Sequence, residues 1–136
     1  MINAIASRVR FSLDIRGPDD GAYRAVAREI AGYAAQAAER RGMDVDYAER
    51  QTLAATPMDE RIVSALEQSA AATGEPYRRM HSGAAHDTMC VADRVPTAMV
   101  FVPCRDGISH HPAEDADPAD AALAAGIMLT AIASLR

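Results

Sequence analysis

The stretch RVRFSLDIRGPDD, residues 8–20, decides the fold class. Val9, Phe11, Leu13 and Ile15 alternate with Arg8, Arg10, Ser12, Asp14 and Arg16. A period of two puts the apolar set on one face and the polar set on the other, the pattern of a half-buried strand. Gly17-Pro18 breaks that strand, and Asp19-Asp20 opens a helix. The period then lengthens. Tyr23, Val26, Ile30, Tyr33 and Ala37 recur at threes and fours as one apolar stripe. This predicts a helix to about Arg41, stopped by Gly42 at the C′ position. Residues 43–53 alternate again through Met43, Val45 and Tyr47. The order strand–helix–strand makes residues 1–53 a βαβ piece of an α/β chain, α+β overall.

A boundary follows at Ala54-Ala55-Thr56-Pro57. Thr56 is the candidate N-cap of the next helix, with Pro57 at N1 and Asp59 at N3. The helix runs through Ile62, Val63, Leu66 and Ala70 to Gly74. Residues 76–80 suit a short strand. SGAAHDT (82–88) is a small-residue turn leading into a short helix. TAMVFV (97–102) is an apolar run between Pro96 and Pro103, as in a strand buried on both faces. A polar loop, CRDGISHHPAEDAD (104–117), comes next. The last helix starts at Asp117 and Pro118 and carries Leu123, Ile127, Ala131 and Leu135. Residues 57–136 therefore read as an αβαβα piece.

Composition narrows the function classes. The 136 residues are 49% hydrophobic but only 4% aromatic, so Ala, Val, Ile, Leu and Met must fill the core. Net charge is −5 and the pI is near 5.3, which leaves no basic patch for nucleic acid. No apolar run approaches the ~18 residues that span a bilayer, and the N-terminus lacks the pattern of a signal peptide. Cys90 and Cys104 make no disulfide framework, so a reducing cytoplasm is expected. The strand pattern begins almost at Met1, which suggests further chain upstream.

Few side chains can carry chemistry. His110 and His111 follow the buried strand, where α/β folds place ligand sites, and an imidazole there suits zinc. The plain alternative is a solvated loop histidine. His86 follows Ser82-Gly83-Ala84-Ala85, small residues that let backbone approach a ligand; it could donate to a carbonyl. Alternatively Asp87 or Ser82 caps the short helix and His86 is merely exposed. Arg16 ends the first strand and could clamp a carboxylate with two hydrogen bonds, or simply be solvated. Glu114, Asp115 and Asp117 have helix capping as their default role. A Cys–His nucleophile using Cys90 or Cys104 has no flanking signature, and both cysteines read as small core residues.

Taken in order, NAIASRVRFSLDIRGP (3–18), SGAAHDT (82–88) and PTAMVFVPCRDGISHHPAED (96–115) resemble a known pattern. It is that of the C-terminal half of N-carbamoyl-amino-acid hydrolases, β-ureidopropionases and allantoate amidohydrolases, amidases of the zinc aminopeptidase-like clan. The resemblance covers nearly the whole chain, and GISHHPAE (107–114) is its most specific part. It implies a catalytic α/β domain with two metals and an inserted lid used for dimerisation. Residues 1–53 would be the later part of the lid, and 57–136 the returning part of the catalytic domain. His110 falls on a metal ligand, and His86 on a residue that contacts substrate. Asn3 and Arg16 fall on the pair that binds the substrate's polar end, with Arg16 on its carboxylate. There are departures. Ala85 stands where the family usually has Gly, and Ala6-Ser7 where it has Pro-Gly.

The resemblance implies further that the general-base glutamate and the remaining ligands for two zinc or manganese ions lie upstream of this chain. One histidine would then bind metal weakly at most. The expected activity is hydrolysis of ureido or linear amide C–N bonds in small substrates that bear a carboxylate. The expected assembly is a homo-oligomer or a complex with a complementing N-terminal half. A non-catalytic, dimerising remnant or binding module is the alternative.

Overall fold

In a computed structural model, which describes Asn3 and residues 5–135, Asp19 and Gly42 bracket the first helix. Helix α1 spans Asp20–Glu39. The Asp19 carboxylate accepts the Ala22 N–H at 2.9 Å, satisfying one amide that has no partner within the helix. At the other end the Gly42 N–H donates to Glu39 O (3.1 Å) and the Met43 N–H to Ala38 O (3.0 Å). That pair of bonds closes a Schellman turn, and Gly42, at φ 61°, is its left-handed residue. The expected helix stop is therefore present.

The segment after α1 runs back along it. The Asp20 carboxylate accepts the Ala55 N–H at 2.8 Å, and the Tyr23 hydroxyl donates to Leu53 O at 3.1 Å. Both bonds sit at the start of α1, although the segment leaves from its end. The lengths agree, since a helix of this size is roughly 30 Å long and residues 43–53 span roughly 35 Å when extended. The covered stripe of α1 is Tyr23, Ala27, Ile30, Ala34 and Ala37. The expected stripe had the right period, but its phase needs correction. Val26 is 43% exposed and Tyr33 69%, and alanines one residue later take their places.

The strand expectations are not confirmed among the described residues. Among the described residues none belongs to a β-ladder, and 8–16, 43–53, 76–80 and 97–102 are unpaired. Alternation fixes which face of a segment is apolar, but a strand exists only when a neighbour's N–H and C=O groups lie about 4.8 Å away. Phe11 accordingly stays 68% exposed and Val9 71%. The chain divides into two compact units, Met1–Ala55 and Thr56–Arg136.

In the second unit, α2 (Glu60–Ala71) packs against α4 (Pro118–Ser134). The contact is built from small residues: Ala65, Ser69, Ala70 and Ala131 are buried, and the Ser69 hydroxyl is satisfied by Ala65 O at 2.8 Å. Ile62, Leu66, Ala98, Val100, Met128 and Ile132 line a cleft of about 160 Å³ beside that contact. Ala98 and Val100 thus face the helices. Phe101 is 49% exposed, so TAMVFV is not covered on both sides as its sequence suggests. Helix α4 begins as expected, with Asp117 accepting the Ala119 N–H at 2.8 Å and Pro118 next. The start of α2 is different. Asp59, not Thr56, is the N-cap, accepting from Arg61 and Ile62 N–H at 3.0 and 3.1 Å. The reason is that the Asp59 N–H donates to Thr97 O at 2.8 Å, which holds Asp59 extended and delays the helix. A short helix α3 spans Thr88–Val91. No helix among the described residues is long and apolar enough to cross a membrane.

One cation ties the segment after α2 back onto it. Arg79 donates two hydrogen bonds to Glu67 (2.7 and 2.6 Å) and two to Glu60 (3.0 and 2.6 Å). Glu60 and Glu67 lie two turns apart on one face, so a single guanidinium spans both. Its hydrogen bonds hold both carboxyls below their ordinary values.

Two expected outcomes follow from these contacts. Asp59→Ala leaves two helix amides unsatisfied and is expected to lower the stability of the second unit by about 1 kcal/mol in chemical denaturation. The Arg79 contribution is present above the carboxylates' unfolded values and is lost as pH falls through their lowered folded values. The melting-temperature gap between the parent chain and Arg79→Gln should therefore be widest near neutral pH, begin to narrow as the pH falls to 4.5 and go on closing below it.

Candidate functional site

The turn before α3 presents His86. Ser82 closes the turn on itself, its hydroxyl donating to Ala84 O (2.8 Å) and accepting from Ala84 N–H (3.1 Å). Ser82 thus does not cap α3, and Asp87 makes no capping hydrogen bond either. The His86 ring does that work: its Nδ1 accepts the Thr88 N–H at 3.0 Å and lies 2.6 Å from the Thr88 hydroxyl. The residue remains exposed.

The loop 104–117 presents the other two histidines. The Arg105 N–H donates to Asp115 O at 2.7 Å, and the two side chains pair at 2.9 Å, which draws the ends of the loop together. Within it the Glu114 carboxylate accepts the His110 N–H at 2.6 Å. His110 has φ 58°, in the left-handed region that few non-glycine residues enter. A charge-assisted bond to its own N–H holds it there. The acidic cluster is thus not a set of helix caps. Asp117 caps α4, Asp115 pairs with Arg105 and Glu114 fixes the His110 backbone.

The two neighbouring imidazoles are not equivalent. His111 Nδ1 accepts the Ala113 N–H at 3.1 Å, so this ring is engaged with its own loop. The His110 ring makes no hydrogen bond among the described residues. Among those residues no group of three or more His, Cys, Asp or Glu side chains stands close enough to hold a metal. A catalytic zinc takes three protein ligands. The described residues therefore do not by themselves fit a metal centre, and His110 offers at most one ligand.

In the first unit, Arg16 is already facing a carboxylate. Its Nε and a terminal nitrogen donate to the two Asp14 oxygens at 2.8 and 2.6 Å. Residues two apart share one face of an extended segment, which puts the two side chains together. The Arg16 hydrogen bond holds the Asp14 carboxyl below its ordinary value. Asn3 lies in an exposed turn. The Asp14–Arg16 spacing is legible in the sequence as D-x-R on one strand face, whereas nothing in the pattern marks Glu114 as the acceptor of the His110 N–H.

Neither His86 nor His110 lines the clefts of about 350 and 160 Å³ found among the described residues of the second unit. Cys104 is half-buried and Cys90 exposed, so only Cys104 approaches the expected core role. Among the described residues no cysteine is hydrogen-bonded to a histidine.

Residues 5–134 match the model of Peptidase family M20/M25/M40. The chain is similar to an allantoate amidohydrolase of Escherichia coli (strain K12), 30% identical over 131 residues, which are 96% of this chain and 31% of that one. It is similar to an N-carbamoyl-L-amino-acid amidohydrolase of Paenarthrobacter aurescens, 33% identical over 85% of this chain and 28% of that one. The solved amidase of the hydantoinase/carbamoylase family from Burkholderia multivorans superposes on 87% of this chain and 29% of its own, with a TM-score of 0.83 and 34% identity. The chain thus shares the α/β fold of these amidases over most of its length and spans under a third of theirs.

The Asp14–Arg16 pair gives a direct check. In an NMR titration Asp14 should titrate below 3.8, and Arg16→Gln should bring it back up to that ordinary value.

Proposed function

We propose a hydrolytic function from one premise: the chain belongs to peptidase family M20/M25/M40. It carries the substrate-recognition side of an amidohydrolase, together with one ligand of its metal centre. The bond cleaved is a ureido or linear amide C–N bond, and the substrate is a small molecule bearing a carboxylate, of the N-carbamoyl-amino acid or allantoate type. Residues 1–53 are part of a lid used for dimerisation, and 57–136 part of the catalytic domain.

The observation that carries the reading is the contrast between His110 and His111. Of two adjacent imidazoles, the one on the expected ligand position is the one whose ring has no hydrogen-bond partner among the described residues. Its backbone is fixed by Glu114 at an otherwise unfavourable φ. The other ligands for two zinc or manganese ions, and the general-base glutamate, come from outside the described residues.

The remaining roles follow from the chain's own groups. Arg16 takes the substrate carboxylate, with Asn3 beside it in the same recognition role. Asp14 already pairs with the guanidinium through its Nε and one terminal nitrogen, so a substrate carboxylate competes with a tethered one and adds a negative charge beside it. His86 meets the scissile carbonyl. The exposed apolar residues Val9, Phe11 and Phe101 support burial against a second copy or a complementing N-terminal half. Two free cysteines fit a cytoplasmic setting.

Elemental analysis of the purified chain, loaded with zinc or manganese and desalted, tests this reading alongside an assay on an N-carbamoyl-amino acid. The expected result is less than one ion per chain and no turnover, with weak zinc binding in titrations that His110→Ala abolishes and His111→Ala leaves intact. Two retained ions with turnover would mean that the described residues suffice after all. Equal effects of the two variants would remove His110 from the ligand set.

A further inference from the structure

A backbone amide can only donate a hydrogen bond. The Thr88 N–H points at His86 Nδ1 from 3.0 Å, so Nδ1 must present its lone pair. A neutral imidazole has one N–H and one lone pair, which puts the proton on Nε2. The Thr88 hydroxyl, 2.6 Å from the same nitrogen, can donate or accept by rotation. With Nδ1 unprotonated, it donates. Two donors from a single residue therefore converge on one lone pair.

We infer that Thr88 is a positioning residue that fixes His86 as its Nε2–H tautomer, so that His86 acts as a hydrogen-bond donor to the substrate's carbonyl oxygen. The inference rests on the proposed reading for the carbonyl's identity but not for the tautomer. Its consequence is specific. The Nδ1 lone pair is spent on Thr88, and Nε2 carries a proton. Neutral His86 has no lone pair left for a metal ion, nor one with which to take a proton from water. What remains is an exposed N–H, the group that stabilises negative charge growing on a carbonyl oxygen. The same two donors hold the ring against the first turn of α3, so the donor is placed before a substrate arrives.

Long-range ¹H–¹⁵N correlation of the imidazole nitrogens in the ¹⁵N-labelled chain reads the tautomer directly and needs neither metal nor turnover. At a pH where His86 is neutral, Nδ1 should resonate as an unprotonated ring nitrogen and Nε2 as a protonated one. Thr88→Val removes the hydroxyl but keeps the backbone N–H. It should raise the Nδ1–H fraction about fivefold, the effect of losing one net hydrogen bond. Thr88→Ser should restore the parent ratio. An Nδ1–H tautomer in the parent chain would overturn the inference without any variant. An unchanged ratio in Thr88→Val, with the backbone amide spectrum intact, would remove Thr88 from the role. Should the valine variant fail to fold, Thr88→Ala, which also lacks the hydroxyl and keeps the backbone N–H, reads the same change in ratio. Failure of the hydrolase reading would leave these spectra unaffected, so the two are separable.

Discussion

The ion pair between Arg105 and Asp115 is the constraint on which the candidate ligand site depends. It closes the polar loop at its base, with a side-chain contact at 2.9 Å reinforced by a backbone bond at 2.7 Å. Within that closed loop Glu114 reaches the His110 N–H, and His111 folds back onto Ala113. Exposed pairs of this kind add little to global stability. Their effect here is local order: they hold His110 in a backbone state that it would seldom choose alone, with no hydrogen bond to its ring among the described residues.

The other polar contacts follow a similar logic. A potential ligand group is first engaged by its own chain. Asp14 holds the Arg16 guanidinium, and Thr88 holds one side of the His86 ring. Each contact restricts a flexible side chain before any substrate is present, which lowers the entropy cost of binding. The costs differ. Under the proposed reading a substrate carboxylate competes with Asp14 for the Arg16 guanidinium, whereas the Nε2 side of His86 meets no hydrogen-bonding group among the described residues.

Much of the helical framework was legible in the sequence. Gly42 and Asp117 end and begin their helices where composition and spacing put them, because caps act through neighbouring backbone groups. The stripe of α1 was legible in period but not in phase. Tyr23, Ile30 and Ala37 belong to either phase, and only packing chooses between Val26 and Ala27. Asp59 replaces Thr56 because of a bond to Thr97, a contact remote in sequence that no local rule foresees. The strand patterns gave faces but not partners. At the candidate site, the resemblance names residues, and the structure adds the hydrogen-bonded state of each. Which histidine is engaged, and on which nitrogen, depends on amides two residues away.

The central claim is that this chain recognises a carboxylate-bearing ureido or amide substrate through Arg16. Calorimetric titration with an N-carbamoyl-amino acid and with its carboxamide, which differs only in lacking the charge, tests it most directly. The account predicts about tenfold tighter binding of the carboxylate, a preference that Arg16→Gln erases. Equal affinity for the two ligands, or a preference that survives in the glutamine variant, would contradict it.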